Sequence, residues 1–387
     1  MKILINIATI LILFITMPIS NASDTKDESN KETMLEQQEE FGVGEFIDSA
    51  KEYTNDFFNE DELNNFFNSA IKGEVDNSSI FKKILSLLGQ EFVDSIKAVG
   101  SILVIIVIHS ILKAISESLE NESISKLIYY VQYILIVTII MSSFSGIVKL
   151  VQDTTNNLVG FMNLLVPLLI ALMLYTGSIA TSGVLEPIIL FMINFIGNII
   201  QTIIIPGVLI FAGLVVISKI SNNFQIGKLS KFFQSSIIWF LGIVLTIFVG
   251  VVSLEGTLSS SVDGITAKTT KAVVSTAIPV VGKILGDAVD TVLGCGIILK
   301  NAVGLIGVIV VIAICIAPIL KLAILTITYK LLAGVCEPIA DKNIVSLIEQ
   351  VGDIFKIFLA ILTTISVLLI IGTALVVKIS NTGMMYR

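Results

Sequence analysis

AVGLIGVIVVIAICIAPILKLAILTITYKLLAGV, residues 302–335, carries only two charges, Lys321 and Lys330, in an otherwise uncharged and mostly apolar run. As one straight helix it would extend about 50 Å at 1.5 Å per residue. The hydrocarbon core of a bilayer is only ~30 Å thick. Pro318 and Lys321 sit near the middle of the run, so it reads as two short membrane spans with a break between them. Residues 184–220 have the same overlong apolar character, and Pro206 marks the break there. Repeated runs of this kind are not what a soluble core needs. The fold class they specify is all-α, a polytopic helical membrane protein.

Working outward, further apolar segments cover Val99–Ile115, Leu127–Val148, Leu158–Tyr175, Phe233–Leu254 and Ile354–Val377. With both breaks made, the expectation is about nine spans, some broken. The chain is 55% hydrophobic and 14% charged, against roughly 25% charged in soluble domains. Tyr129, Tyr130, Tyr133, Tyr175 and Trp239 fall toward span ends, as aromatic belts do. Nine spans from an outside N-terminus would place Lys219, Lys228, Lys231, Lys378 and Arg387 in the cytoplasm, in line with the positive-inside rule. No Lys/Arg cluster or aromatic-basic stripe points to nucleic acid.

At the N-terminus, Lys2, the apolar Ile3–Met17 and the small residues Ser20 and Ala22 spell a secretory signal sequence with cleavage after Ala22. The net charge of −7 hides two unlike parts. Between Asp24 and Asp76, sixteen acidic residues face four lysines, and the remainder is mildly basic. Phe46, Ala50, Tyr53 and Phe57 recur at helical spacing, as do Leu63, Phe66, Phe67, Ala70 and Ile71. A small acidic, helical, extracytoplasmic segment is expected, with a third helix starting at Ile80, Ile84 and Leu88.

Between the last two groups of spans, residues 255–300 are neither loop nor plain span. Glu255, Asp263, Asp287 and Asp290 balance Lys268, Lys271, Lys283 and Lys300. Gly256, Gly264, Gly282 and Gly286 punctuate it, Pro279 interrupts it, and Gly294-Cys295-Gly296 looks like a turn. Gly282-Lys283 lacks the upstream glycine and the following Ser/Thr of a phosphate loop. Asp287 and Asp290 lie one helical turn apart, with no further oxygen-rich ligand set for a cation. Gly282 and Gly286 form a small-xxx-small face that lets a second helix approach closely. Helix packing is therefore the favoured reading, ahead of a re-entrant segment and, last, an ion site.

Residues with chemistry are few. His109 is the lone histidine and has no carboxylate on its own stretch. Ser259, Ser260 and Ser261 would have to recruit that same histidine as a base. Cys295, Cys315 and Cys336 are three thiols in apolar surroundings and read as small hydrophobes. Glu186-Pro187-Ile188 recurs as Glu337-Pro338-Ile339, a short match that a repeated transporter fold would also show. No catalytic, cofactor-binding or metal site is expected.

The strings Ser253–Lys271, Pro279–Asp290, Leu293–Gly296 and Lys300-Asn301-Ala302-Val303-Gly304 resemble the stage III sporulation protein AE family of endospore-forming bacteria. The layout beyond about Phe41 is similar too. Five segments result: a signal peptide (1–22), an acidic extracytoplasmic helical segment (23–95), first membrane helices (96–254), the signature segment (255–300) and C-terminal membrane helices (301–387). The resemblance implies a non-enzymatic membrane subunit of a channel-like or secretion-like complex that links mother cell and forespore. It further implies the mother-cell membrane around the forespore as its location. Its implied partners are the lipid bilayer and other stage III sporulation membrane proteins, including a separate ATPase and ring-forming subunits. A free-standing secondary transporter or permease is the alternative reading.

Overall fold

A computed structural model describes residues 28–54, 57–58, 60–72, 78–118, 122–220, 227–277 and 281–385, without the side chains of 256–291 and of a number of other residues, mostly near helix ends. The expected signal peptide lies outside the described residues. Helices follow one another along the chain: α1 (Glu28–Glu40), α2 (Val43–Thr54), α3 (Glu60–Lys72), α4 (Ser78–Ser118) and α5 (Glu122–Tyr175). A π-helical turn at Ile200–Ile204 joins α6 (Ile179–Ile199) to α7 (Ile205–Ile220). The chain ends with α8 (Gly227–Ala277), α9 (Val281–Cys336) and α10 (Lys342–Met385). There is no strand among the described residues.

Among the described residues, six helical stretches are long and apolar enough to cross a membrane: Lys82–Leu112, Lys126–Tyr175, Ile179–Ile220, Lys231–Glu255, Val292–Cys336 and Lys342–Lys378. The difference from nine comes from three places where the chain stays helical instead of breaking. Residues 149–157, polar enough to suggest a loop between two spans, continue α5. Val151, Thr154 and Thr155 point into the core there, while Lys149, Asp153, Asn156 and Asn157 point out. The two threonine hydroxyls donate back to Leu150 O (2.7 Å) and Val151 O (2.8 Å), so they need no other partner.

At Pro206 the expected reversal is absent. The Ile205 N–H bonds to Ile200 O, five residues back, in a widened turn. Proline then falls in the first turn of α7, where its missing N–H is tolerated. At Pro318, α9 also runs on, as proline-containing helices can when neighbouring helices cover the freed backbone.

Central to the bundle is α9, whose apolar stretch is the most deeply buried of the six, followed by that of α10. These two helices pack along their length, and α4, α5 and α8 close around them. Aromatic contacts knit the layers, with Tyr329 edge-on to Phe355 at 5.1 Å and Phe144 against Phe358 at 5.7 Å. Outward faces are apolar on α4 (Val104, Ile108, Ile111) and α7 (Ile210, Ile217), as lipid contact requires.

The acidic N-terminal helices pack both on one another and on the bundle. Phe46 and Tyr53 of α2 each lie 6.0 Å from the Phe161 ring of α5. Phe58 meets Phe66 of α3 at 5.3 Å. Gln37 of α1 donates to Tyr175 Oη and to Val292 O, both at 3.1 Å. Lys83 at the start of α4 pairs with Glu62 at 2.5 Å and donates to Phe57 O at 2.9 Å.

Candidate functional site: the glycine face of the central helix and a buried polar end

Helix α9 can sit at the centre because its contact face is cut back to hydrogen at the closest approaches. A Cβ at Gly296 would come within 3.0 Å of the Tyr175 ring and 3.1 Å of the Thr176 methyl. One at Gly304 would overlap a methyl of Val377 on α10, and one at Gly307 would lie 2.5 Å from Leu165 of α5. Residues 296, 300, 304 and 307 follow helical spacing, so these glycines share one row with Lys300. Lys300 is wholly buried, the bulkiest charged side chain inside the bundle among the described residues. A charge at that depth is uncommon and usually has a role. Gly372 of α10 against Phe248 of α8, and Gly197 of α6 against Val159 of α5, repeat the device elsewhere.

The signature segment is thereby partly placed. Gly294-Cys295-Gly296 is helical, not a turn; Cys295 is buried and Gly296 serves close packing. Gly294 has open space where a Cβ would stand. Glu255 is half-buried at the end of the apolar part of α8. The backbones of Gly256, Asp263, Gly264, Lys268 and Lys271 continue α8, and those of Gly282, Lys283, Gly286, Asp287 and Asp290 open α9. Their side chains lie outside the described set, as does Pro279 altogether.

A second constellation closes the opposite end of the bundle. His109 Nε2 on α4 lies 3.1 Å from Asp341 Oδ2, and the histidine is only 3% exposed. Asp341 precedes α10, where its carbonyl accepts from the Ile344 N–H (2.9 Å) and the Val345 N–H (3.1 Å). Tyr129 donates to Lys219 O at 2.7 Å and is hydrogen-bonded by the Asn343 side chain. Tyr133 donates to Val216 O. Four chain segments are thus tied at one level: α4, α5, α7 and the α9–α10 turn. His109 Nδ1 and the Gln132 carboxamide are buried without partners among the described residues.

Sequence reading missed the His109–Asp341 pair because its members stand 232 residues apart. Lys300 was visible only as one charge among eight. The row Gly296, Lys300, Gly304 and Gly307 could have been found by applying helical spacing across a stretch taken for a turn. No group of three His, Cys, Asp or Glu residues is placed to hold a metal ion among the described residues.

A family model described as Stage III sporulation protein AE matches residues 62–380. The protein of that name from Bacillus subtilis (strain 168) is 28% identical over 306 residues, covering 79% of this chain and 77% of the relative. No solved structure matches the chain.

Proposed function

The chain belongs to the stage III sporulation protein AE family, and from that premise we propose a non-enzymatic membrane subunit of a sporulation complex. The observation that carries this reading is the extent of the match. Residues 62–380 take in all six apolar helices and most of α3, and leave out α1 and α2. What the family shares is therefore the bundle, with its closely packed central helix. The complex we propose is channel-like or secretion-like, joins mother cell and forespore, and includes a separate ATPase and ring-forming membrane proteins.

Its location in this proposal is the mother-cell membrane around the forespore. Lys126, Lys219, Lys231 and Lys342 gather at the end of the bundle opposite the acidic helices. The positive-inside rule then supports a cytoplasmic lysine end and an extracytoplasmic α1–α3. Six crossings bring Lys378 to the same side as α1–α3, whereas nine would put it inside.

A free-standing secondary transporter is the second reading, favoured by buried Lys300, since intramembrane charges serve coupling. The test is complementation. A Bacillus subtilis strain lacking its own stage III sporulation protein AE should regain spores when given this chain or its Lys300→Met variant. Failure of this chain at normal membrane levels would count against the proposal. Rescue by this chain but not by Lys300→Met would favour the transporter.

A further inference from the structure

His109 closes the buried stripe of α4, after Ser95, Val99, Ile102 and Ile106, and Gln132 opens that of α5, before Ile136, Ile140 and Phe144. Both are only 3% exposed. Two contacts from one short segment bring them to the same level. Asp341 meets His109, and Asn343, just beyond it, is hydrogen-bonded to Tyr129. The chain connection agrees. Helix α4 ends at Ser118 and packs on α5, which begins at Glu122. In such a helical hairpin residue 109 stands opposite about 131.

The polar groups at this level do not satisfy one another. Nε2 of His109 faces the Asp341 carboxylate, which only accepts, so Nε2 carries the hydrogen. Nδ1 is then a bare acceptor in the neutral ring and a second donor in the charged one. Gln132 has an acceptor oxygen and an NH₂ donor, and neither is bonded among the described residues, whichever way the amide is turned. Leaving buried groups of this kind dry is costly. A cation would serve the acceptors and leave the N–H groups bare, and an anion would do the reverse. Water both donates and accepts, and a buried water typically makes about three bonds to such groups.

We propose that His109, Gln132 and Asp341 form an internal water site at the lysine-bearing end of the bundle. The Asp341 side chain is 27% exposed, so it reaches from the buried ring to the outside and gives water its entry. Water held there bonds Nδ1 in either state of the ring, and the Gln132 oxygen and N–H groups as well. The consequence is chemical. The chain's single histidine, the side-chain type that titrates nearest neutrality, exchanges protons with the aqueous phase from inside an apolar bundle. This holds whatever assembly the chain joins.

Deuterium exchange at the ring carbon between the two nitrogens of His109 tests the site, because that hydrogen exchanges only where water reaches the ring. With one histidine in the chain and a tag free of histidine, a single peptide reports it. The full chain in mild detergent, held in heavy water for days, is compared with the same chain in denaturant at the alkaline plateau of each profile. The expected rate lies within about tenfold of the denatured one, while the backbone amides of residues 102–112 stay protected. Gln132→Leu, close in size but without polar atoms, should slow the exchange by a further factor of about ten or more. Slower exchange than this in the unsubstituted chain means a dry ring and overturns the proposal, and that arm stands even if Gln132→Leu fails to fold. Exchange that a folded Gln132→Leu chain leaves unchanged overturns it as well. So does exchange that rises together with loss of amide protection, since that reports local opening instead of a resident water.

Discussion

Gly304 of α9 faces Val377 of α10 so closely that any side chain at 304 would overlap a valine methyl. Ten residues earlier in the same helix, Gly294 has nothing within 4 Å of where its Cβ would stand. The same residue type in one helix thus serves two different needs.

Gly304→Ala should destabilise the detergent-solubilised protein by about 1–3 kcal/mol, the usual range for overpacking a filled core. Gly294→Ala should be neutral or stabilising by up to about 1 kcal/mol, because alanine is the better helix former and meets no clash. Thermal unfolding of the two variants side by side checks this. Equal effects would mean that contact at Gly304 is not what holds α9 against α10.

The pair His109–Asp341 should be stabilising in a way that depends on both members. Asp341→Ala removes a buried histidine's partner and a side chain preceding α10, at roughly 1–3 kcal/mol. His109→Ala in the Asp341→Ala background should then do less harm than in the parent chain. A double-mutant cycle in detergent measures this, with a coupling of about 1 kcal/mol expected. Additive losses would reduce the pair to two independent packing residues.

Much of the fold was legible because apolar periodicity survives in lipid as well as in water. Every apolar segment read from Val99 onward lies in a helix, and the aromatic faces around Phe46 and Phe67 are buried as their spacing implied. The misreadings share one cause, treating interruptions along the chain as interruptions of the helix. Residues 149–157 are a polar face, not a loop, because threonines can turn inward on their own backbone acceptors. Pro206 follows a widened turn that already lacks the usual bond. Candidate site residues were harder to see: Asp341 reaches His109 only through the packing of α4 against the α9–α10 turn.

Single cysteines at Ile179, exposed at the start of α6, and Lys228 should be labelled from opposite sides of the membrane by an impermeant reagent. Ile179 begins a continuous helical stretch of 42 residues, and Lys228 follows its far end at the start of α8. Labelling of both from one side would restore a reversal at Pro206 and the higher span count.

Shortening Phe161 should loosen the acidic helices without unfolding the bundle. Its ring holds both Phe46 and Tyr53, whereas the six apolar helices have their own core around α9. Phe161→Ala should speed protease cleavage within residues 28–72 several-fold, and leave the fragment from α4 onward intact on a gel. Unchanged cleavage would mean that Gln37, Lys83 and the remaining contacts are enough to keep α1–α3 docked.

The central claim, that this chain works as a packed subunit within a sporulation assembly, is tested most directly by purification from sporulating cells. The tagged chain would be extracted in mild detergent at the stage of engulfment and everything bound to it identified. The account predicts recovery with other sporulation membrane proteins and an ATPase, with that association reduced severalfold in Gly304→Leu at matched membrane levels. Recovery of the chain alone, with solute uptake by the purified protein in vesicles that Lys300→Met abolishes, would contradict it.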